Sequence, residues 1–169
     1  PLSRLFLFRH AKAAWAEPGM RDFDRKLDDR GIEEARAMGE LMKRRNLVPD
    51  RVICSTAARA VETLEGLNAA LHLEEATAFE QNLYATDAPG YLEIAAATDF
   101  DGDVMLVGHN PMLEDAALAL AKEGDDEALE ALHMGFRTAG LAIIRFDGPT
   151  SAFTTDTGYL EAYLTPADC

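Results

Sequence analysis

The sequence has 169 residues, 48% of them hydrophobic and 27% charged, with 30 acidic against 16 basic side chains for a formal net charge of −14. A chain of this length buries roughly 70% of the surface its unfolded form exposes, so neither a disulfide nor a metal is required to hold it together. The acidic balance argues against nucleic acid as a partner, and a pocket for an anionic ligand must be a local gathering of Arg and His inside a negative envelope.

The first strand-like run is RLFLF, residues 4–8, and it stops at Arg9 and His10. Asp29 to Arg45 follows with helical spacing. It sets Ile32, Ala35, Met38, Leu41 and Met42 on one stripe with charges opposite, and it ends in the basic residues that a helix C-terminus favours. RVIC at 51–54 reads as a strand, and 56–72 as a helix with Ala60, Leu64, Leu67 and Leu71 facing inward. A helix over 90–97, a strand DVMLVG over 103–108 and a helix over 111–122 with proline near its start come next. GLAIIRF at 140–146 and YLEAYL at 159–164 are the last two strands. Strands that alternate with helices and are continuously apolar imply a mainly parallel sheet covered on both faces. The expected architecture is α/β, a three-layer α/β/α sandwich forming a single domain over residues 1–169.

Cysteines number two, which is no disulfide framework; Cys54, inside an apolar run, reads as a small core residue of a protein in the reducing cytoplasm. No stretch reaches the roughly 20 apolar residues of a membrane helix, and the start lacks the basic region, apolar region and cleavage site of a signal peptide. A cytoplasmic protein without membrane contact is expected.

In open sheets of this kind ligands gather beyond the carboxyl ends of the strands. Beyond the first run stand Arg9 and His10; beyond the second, Ser55, Thr56 and, a helical turn on, Arg59; beyond VMLV, Gly108, His109, Asn110 and Pro111. Any one of these alone reads more naturally as a solvated side chain or a helix cap. Their joint occurrence changes that, because the sequence holds only four histidines and two of them fall at strand ends. His72 and His133 are assigned to surface or capping positions, and Asn110 to the cap of the helix that begins at Pro111 and to the substrate-binding residues of the rim.

The set suits phosphoryl transfer without a metal. Guanidinium groups bind phosphate oxygens bidentately and stay charged, so Arg9 and Arg59 would neutralise charge on the transferred group. A neutral imidazole can attack phosphorus, and a second, protonated imidazole can donate to the equatorial oxygens. Helix starts after Ser55 and Asn110 could add backbone N–H donors.

The strings FRHAK, CSTAARAVET and VGHNP together resemble the histidine phosphatase superfamily, whose motifs read Arg-His-Gly, Ser-x-x-x-Arg-Ala-x-x-Thr and Gly-His. The run AKAAWAEPGMRDFDRKLDDRG is similar to the small SixA-like phosphohistidine phosphatase branch, with its Asp-x-x-Arg-x-Leu-x-x-Arg-Gly string. The resemblance implies a phosphoglycerate mutase-like fold, His10 as a nucleophile that becomes phosphorylated, and Arg9, Arg59 and His109 as the phosphate pocket. It implies no metal and no cofactor. The partner it implies is a phosphorylated protein, such as a histidine phosphotransfer domain, or a small phosphoester. Ala11 stands where most members have Gly. Larger members place a carboxylate general acid between the second and third motifs, and Glu80 is the candidate here, with Asp87 a weaker one. Lys12 is read as an extra cation at the pocket mouth, Trp15 as a packing residue, and Asp24 with Arg25 as a structural pair holding the loop. Three other readings stand beside this one: a small-molecule phosphomonoesterase on the same fold, a metal hydrolase using His10 and His109, and a non-catalytic phosphoprotein-binding module.

Overall fold

Four apolar residues in succession, Leu5 to Phe8, make the centre of the sheet, and every one of them is fully buried. The structure, a computed structural model, describes residues 2–169. The strands are β1 (Leu2–Arg9), β2 (Arg51–Cys54), β3 (Thr77–Phe79), β4 (Asp103–Gly108), β5 (Glu123–Gly124), β6 (Leu141–Asp147) and β7 (Tyr159–Leu164). The helices are α1 (Asp29–Arg44), α2 (Ala58–Leu71), α3 (Asn82–Ala85), α4 (Ala88–Ala96), α5 (Met112–Leu120) and α6 (Asp126–His133).

The seven strands form one sheet in the order β3-β2-β4-β1-β6-β7-β5. β6 alone runs against its neighbours β1 and β7, and every other pairing is parallel. Because side chains alternate across a strand, β1 feeds both layers of the core. Phe6 and Phe8 pack with Ala35, Met38 and Met42 of α1 and with Leu64 and Leu67 of α2. Leu5 and Leu7 pack on the other face with Tyr91 of α4, Leu113 and Leu120 of α5 and Leu132 of α6. Each such side chain contributes about 1.5–3 kcal/mol by leaving water, which is why the apolar run had to lie in the middle of the sandwich.

The three-layer, mainly parallel α/β architecture agrees with the sequence reading, and the predicted helices match to within a few residues. One detail differs. Ile32 was expected on the buried stripe of α1, but it is 42% exposed. The buried face runs through Gly31, Ala35, Met38 and Met42, and Ile32 lies about 100° round the helix from Gly31. Gly31 sets that rotation, since a Cβ there would stand 2.1 Å from the Lys12 carbonyl oxygen. Among the described residues no helix is long and apolar enough to cross a membrane.

Candidate active site

β2, β4 and β1 are adjacent and parallel, so their carboxyl ends share one edge of the sheet. The register puts Arg9 opposite Gly108 and Cys54 opposite Val107. The residue after each strand end is then tied to its neighbour by the backbone: His10 N donates to Gly108 O at 3.1 Å and Ser55 N to Val107 O at 3.0 Å. Sheet geometry thus delivers His10, Ser55 and His109 to one rim, and α2 brings Arg59 to it in its first turn.

His10 is buried, and its Nδ1 lies 2.7 Å from the Ala11 carbonyl oxygen. A carbonyl only accepts, so the ring proton sits on Nδ1 and the lone pair on Nε2. Burial pushes the His10 pKa down to about 4; the Ala11 carbonyl opposes this, and the charges of Arg59, Arg9 and Arg25 add to it. At neutral pH the ring is an uncharged base with its free nitrogen fixed in direction.

The His109 ring centroid lies 5.3 Å from that of His10. Its Nε2 is 2.8 Å from Ser55 Oγ, which already accepts the Ala57 N–H at 3.2 Å. Ser55 Oγ keeps a second lone pair, so it can donate to Nε2 or accept from it; when it donates, the His109 ring proton stands on Nδ1, a buried atom with no partner among the described residues. Burial, His10 and Arg59 together hold the His109 pKa down to about 3. In that tautomer a neutral His109 presents Nδ1–H to the pocket; the backbone behind it is held by Tyr91, whose hydroxyl accepts the His109 N–H at 3.1 Å and donates to Leu83 O. Gly108 permits that approach, because a Cβ there would come within 2.6 Å of the same hydroxyl.

The two guanidinium groups are fixed by carbonyls. Arg9 Nη1 donates to Phe136 O at 2.7 Å, and Asn110 Nδ2 donates to the same oxygen at 3.0 Å. Asn110 Oδ1 accepts the Glu114 N–H at 3.2 Å in the first turn of α5, although the helix begins at Met112 and its N-cap position falls on Pro111, one residue later than expected. Arg59 Nη1 donates to Asp22 O at 2.9 Å and Nη2 to Asp22 Oδ2 at 3.0 Å. Arg9 Nε, Arg59 Nε, Thr56 Oγ1 and His109 Nδ1 are buried and unpartnered. Unpaired buried donors at this density cost free energy unless an acceptor-rich group meets them, and a tetrahedral oxyanion is such a group.

Arg9, His10, Arg59, His109 and Asn110 are thus brought together, whereas two expected site residues have other partners. Lys12 Nζ lies 3.3 Å from Asp28 Oδ2, the carboxylate that caps α1. Glu80 sits just past β3, at the same edge of the sheet, and its carboxylate accepts the Asn82 N–H at 3.0 Å. The loop after Lys12 also corrects two expectations. Trp15 is 93% exposed and packs on nothing, because residues 15–25 bulge from a stem closed by the Ala13–Leu27 bridge. Asp24 and Arg25 do not pair with each other; Arg21 binds Asp24 and Arg25 binds Asp22, each at 2.9 Å.

Asp22, Arg25, Ser55 and Tyr84 form a supporting layer; the sequence pointed to Ser55 at a strand end and to Arg25 in the loop, but not to Asp22 or Tyr84. The Asp22 carboxylate accepts from Arg25 Nε at 2.9 Å, from Arg59 and from the Tyr84 hydroxyl at 2.8 Å. Burial alone would raise its pKa, but these bonds prevail and hold it at about 2. Tyr84 stands edge-on to His109 at 5.6 Å. Asp22 and Arg25 do occupy the Asp-x-x-Arg positions of the string quoted above, which was the available signal. Among the described residues no three His, Cys, Asp or Glu side chains are grouped so as to hold a metal ion.

Comparison with known proteins agrees with this geometry. The model of the histidine phosphatase superfamily (branch 1) matches residues 5–81, a span that includes Arg9, His10 and Arg59. An uncharacterised protein of Mycobacterium tuberculosis is 36% identical over 144 residues, 83% of this chain and 87% of that protein. The chain belongs to the histidine phosphatase superfamily. The crystal structure of a candidate phosphohistidine phosphatase SixA from Agrobacterium tumefaciens is 36% identical, with a TM-score of 0.83 over 97% of this chain and 98% of that one. A second candidate SixA, from Nakamurella multipartita, is 26% identical with a TM-score of 0.84, covering 98% and 97% of the two chains. The superfamily and these neighbours support a phosphatase.

The two buried histidines of this superfamily member also set an acid limit on its stability. Unfolded, both rings titrate near 6.5; folded, at about 4 and about 3. Between those values the unfolded chain binds more protons, so stability falls as pH drops from about 6.5 towards 4. Replacing His109 by Asn should flatten the plot of unfolding free energy against pH in that window by up to about 1.4 kcal/mol per pH unit, as read by denaturant titration. An unchanged slope would mean that His109 is not buried neutral.

Proposed function

We propose that this protein is a metal-independent phosphatase that moves a phosphoryl group from phosphohistidine in a protein to His10 Nε2 and then to water. The observation that carries the reading is the His10 ring itself: neutral, its proton held on Nδ1 by the Ala11 carbonyl, and set among Arg9, Arg59 and the Nδ1–H of His109. In the first step the Nε2 lone pair attacks phosphorus while the guanidinium groups and His109 donate to the equatorial oxygens. In the second, water attacks phosphorus, the N–P bond breaks with its electron pair returning to Nε2, a water proton passes to a phosphate oxygen, and the ring leaves neutral with its Nδ1–H still donating to the Ala11 oxygen. Neither step needs His109 to be charged.

The P–N substrate is favoured because Asp22, the carboxylate bound to Arg59, is held ionised and has no proton to give an alkoxide. The likeness to a candidate phosphohistidine phosphatase from Agrobacterium tumefaciens points the same way. A phosphorylated protein, such as a histidine phosphotransfer domain, is the proposed partner.

A turnover panel tests this. Chelator-treated enzyme should hydrolyse a phosphohistidine protein with a kcat/KM at least about tenfold above that for a phosphotyrosine peptide or small alkyl phosphates. Preference for an alkyl phosphate would instead favour the phosphomonoesterase reading, and activity lost to chelator and regained with zinc the metal hydrolase. Tight binding without turnover would leave a binding module.

A further inference from the structure

Asp22 lies outside the residues that meet the phosphoryl group, yet it stands on the outer edge of Arg59. Oδ1 accepts from Arg25 Nε at 2.9 Å, and Oδ2 accepts from Arg59 Nη2 at 3.0 Å and Tyr84 Oη at 2.8 Å. An ionised carboxylate offers about four acceptor positions. Three are filled, one remains on Oδ1, and the side chain is 54% exposed. Phe23 meets Tyr84 edge-on at 5.0 Å, and Tyr84 meets His109 edge-on at 5.6 Å, so the free acceptor stands beside an aromatic ledge. An in-line displacement places the leaving group opposite the attacking nitrogen. His10 is the buried floor of the pocket, so the leaving group points to the open side, where Asp22 is.

From this juxtaposition we propose that Asp22 determines specificity for phosphorus–nitrogen substrates: its free lone pair accepts the N–H on the far nitrogen of a phosphohistidine imidazole and holds that ring in its protonated form. The proposal rests on the phosphohistidine reading above. The His10 Nε2 lone pair forms the new N–P bond, the substrate's N–P bond breaks, and its electron pair returns to the leaving nitrogen. The leaving ring keeps its far N–H and departs as neutral imidazole, so no proton is needed at the breaking bond. His10 is the mirror image of this ring, its own far N–H resting on the Ala11 oxygen. The phosphoryl group passes between two imidazoles and no proton moves. An alkoxide would need a proton at the breaking oxygen, and a carboxylate bound by Arg25, Arg59 and Tyr84 has none to give.

Asp22→Asn tests this, with a phosphohistidine protein and 4-nitrophenyl phosphate as paired substrates, because nitrophenolate leaves without a proton. Whatever Arg59 loses in the variant is common to both substrates and cancels in the ratio of their kcat/KM values. That ratio should fall at least about tenfold. The alkaline decline of phosphohistidine turnover should also move to lower pH, as the substrate ring loses the anion that kept it protonated. The charged and titratable groups facing Asp22 are Arg25 on its own turn, Arg59 from α2 and Tyr84 from α3; none changes between the two substrates. An unchanged ratio, whether both activities fall or neither does, would show that Asp22 acts only through Arg59 and overturn the proposal. Wild-type enzyme that hydrolyses the aryl phosphate but not phosphohistidine would overturn it while sparing the phosphatase reading. Wild type inert to both would overturn that reading, and this proposal with it.

Discussion

His10→Ala should lower turnover of a phosphohistidine protein or of an aryl phosphate by at least about 10³-fold, because no other group in the pocket can carry the phosphoryl group. Binding should respond differently. Arg9, Arg59 and the Nε2 of His109 keep their own partners, Phe136 O, Asp22 and Ser55 Oγ, none of which depends on the His10 ring. Orthovanadate or inorganic phosphate should therefore still bind within a few-fold of wild type. The fold should survive as well: at neutral pH His10 contributes one hydrogen bond to Ala11 and a buried ring that resists protonation. Wild type given radiolabelled phosphohistidine protein and quenched in alkali should carry base-stable, acid-labile label, and the variant none. Retained turnover in the variant would sink the proposed chemistry, whereas lost turnover together with lost anion binding would mean that His10 mainly shapes the pocket.

How much of this was legible beforehand depended on whether the signal lay in one strand or between distant segments. Leu5–Phe8, Val104–Val107 and Leu141–Ile144 announce themselves as strands because burial on both faces demands unbroken apolar runs. β3 and β5 do not, since three and two residues at the sheet edges carry too little pattern. Strand direction was legible only in part: the antiparallel course of β6 follows from the path of residues 134–140 back to β1, where Ala139 N reaches the Arg9 and His10 carbonyls. The quartet was readable from position at strand ends. Its supports were not, because Ser55 to His109 spans 54 residues and Tyr84 to Asp22 spans 62, and their roles arise only when the sheet closes those distances. Lys12 and Trp15 misled for the opposite reason. Closeness in sequence to His10 suggested the pocket mouth for Lys12 and packing for Trp15, but Lys12 turns to Asp28 and the loop carries Trp15 outward.

Arg59→Ala is the second large effect, with an expected loss of about 10²–10³-fold in kcat/KM and a change in pH profile that a purely structural residue would not produce. Arg59 is the cation that ties the phosphate pocket to Asp22. Its Nη1 and Nη2 are committed to Asp22, its buried Nε is unpartnered, and its charge lowers the pKa of both His10 and His109. Removing that cation makes protonation of the imidazoles easier, so the His10 pKa rises from about 4 and the acid limb of kcat/KM moves to higher pH. Arg59→Lys restores the charge but not the fork: an ammonium cannot hold the Asp22 carbonyl and carboxylate while presenting a third N–H inward. The Lys variant should therefore return the acid limb towards its wild-type position while recovering only part of the rate. If instead the two variants lose the same rate and neither moves the limb, Arg59 acts only as the anchor of the Asp22 turn, and charge neutralisation in the pocket must fall to Arg9 alone.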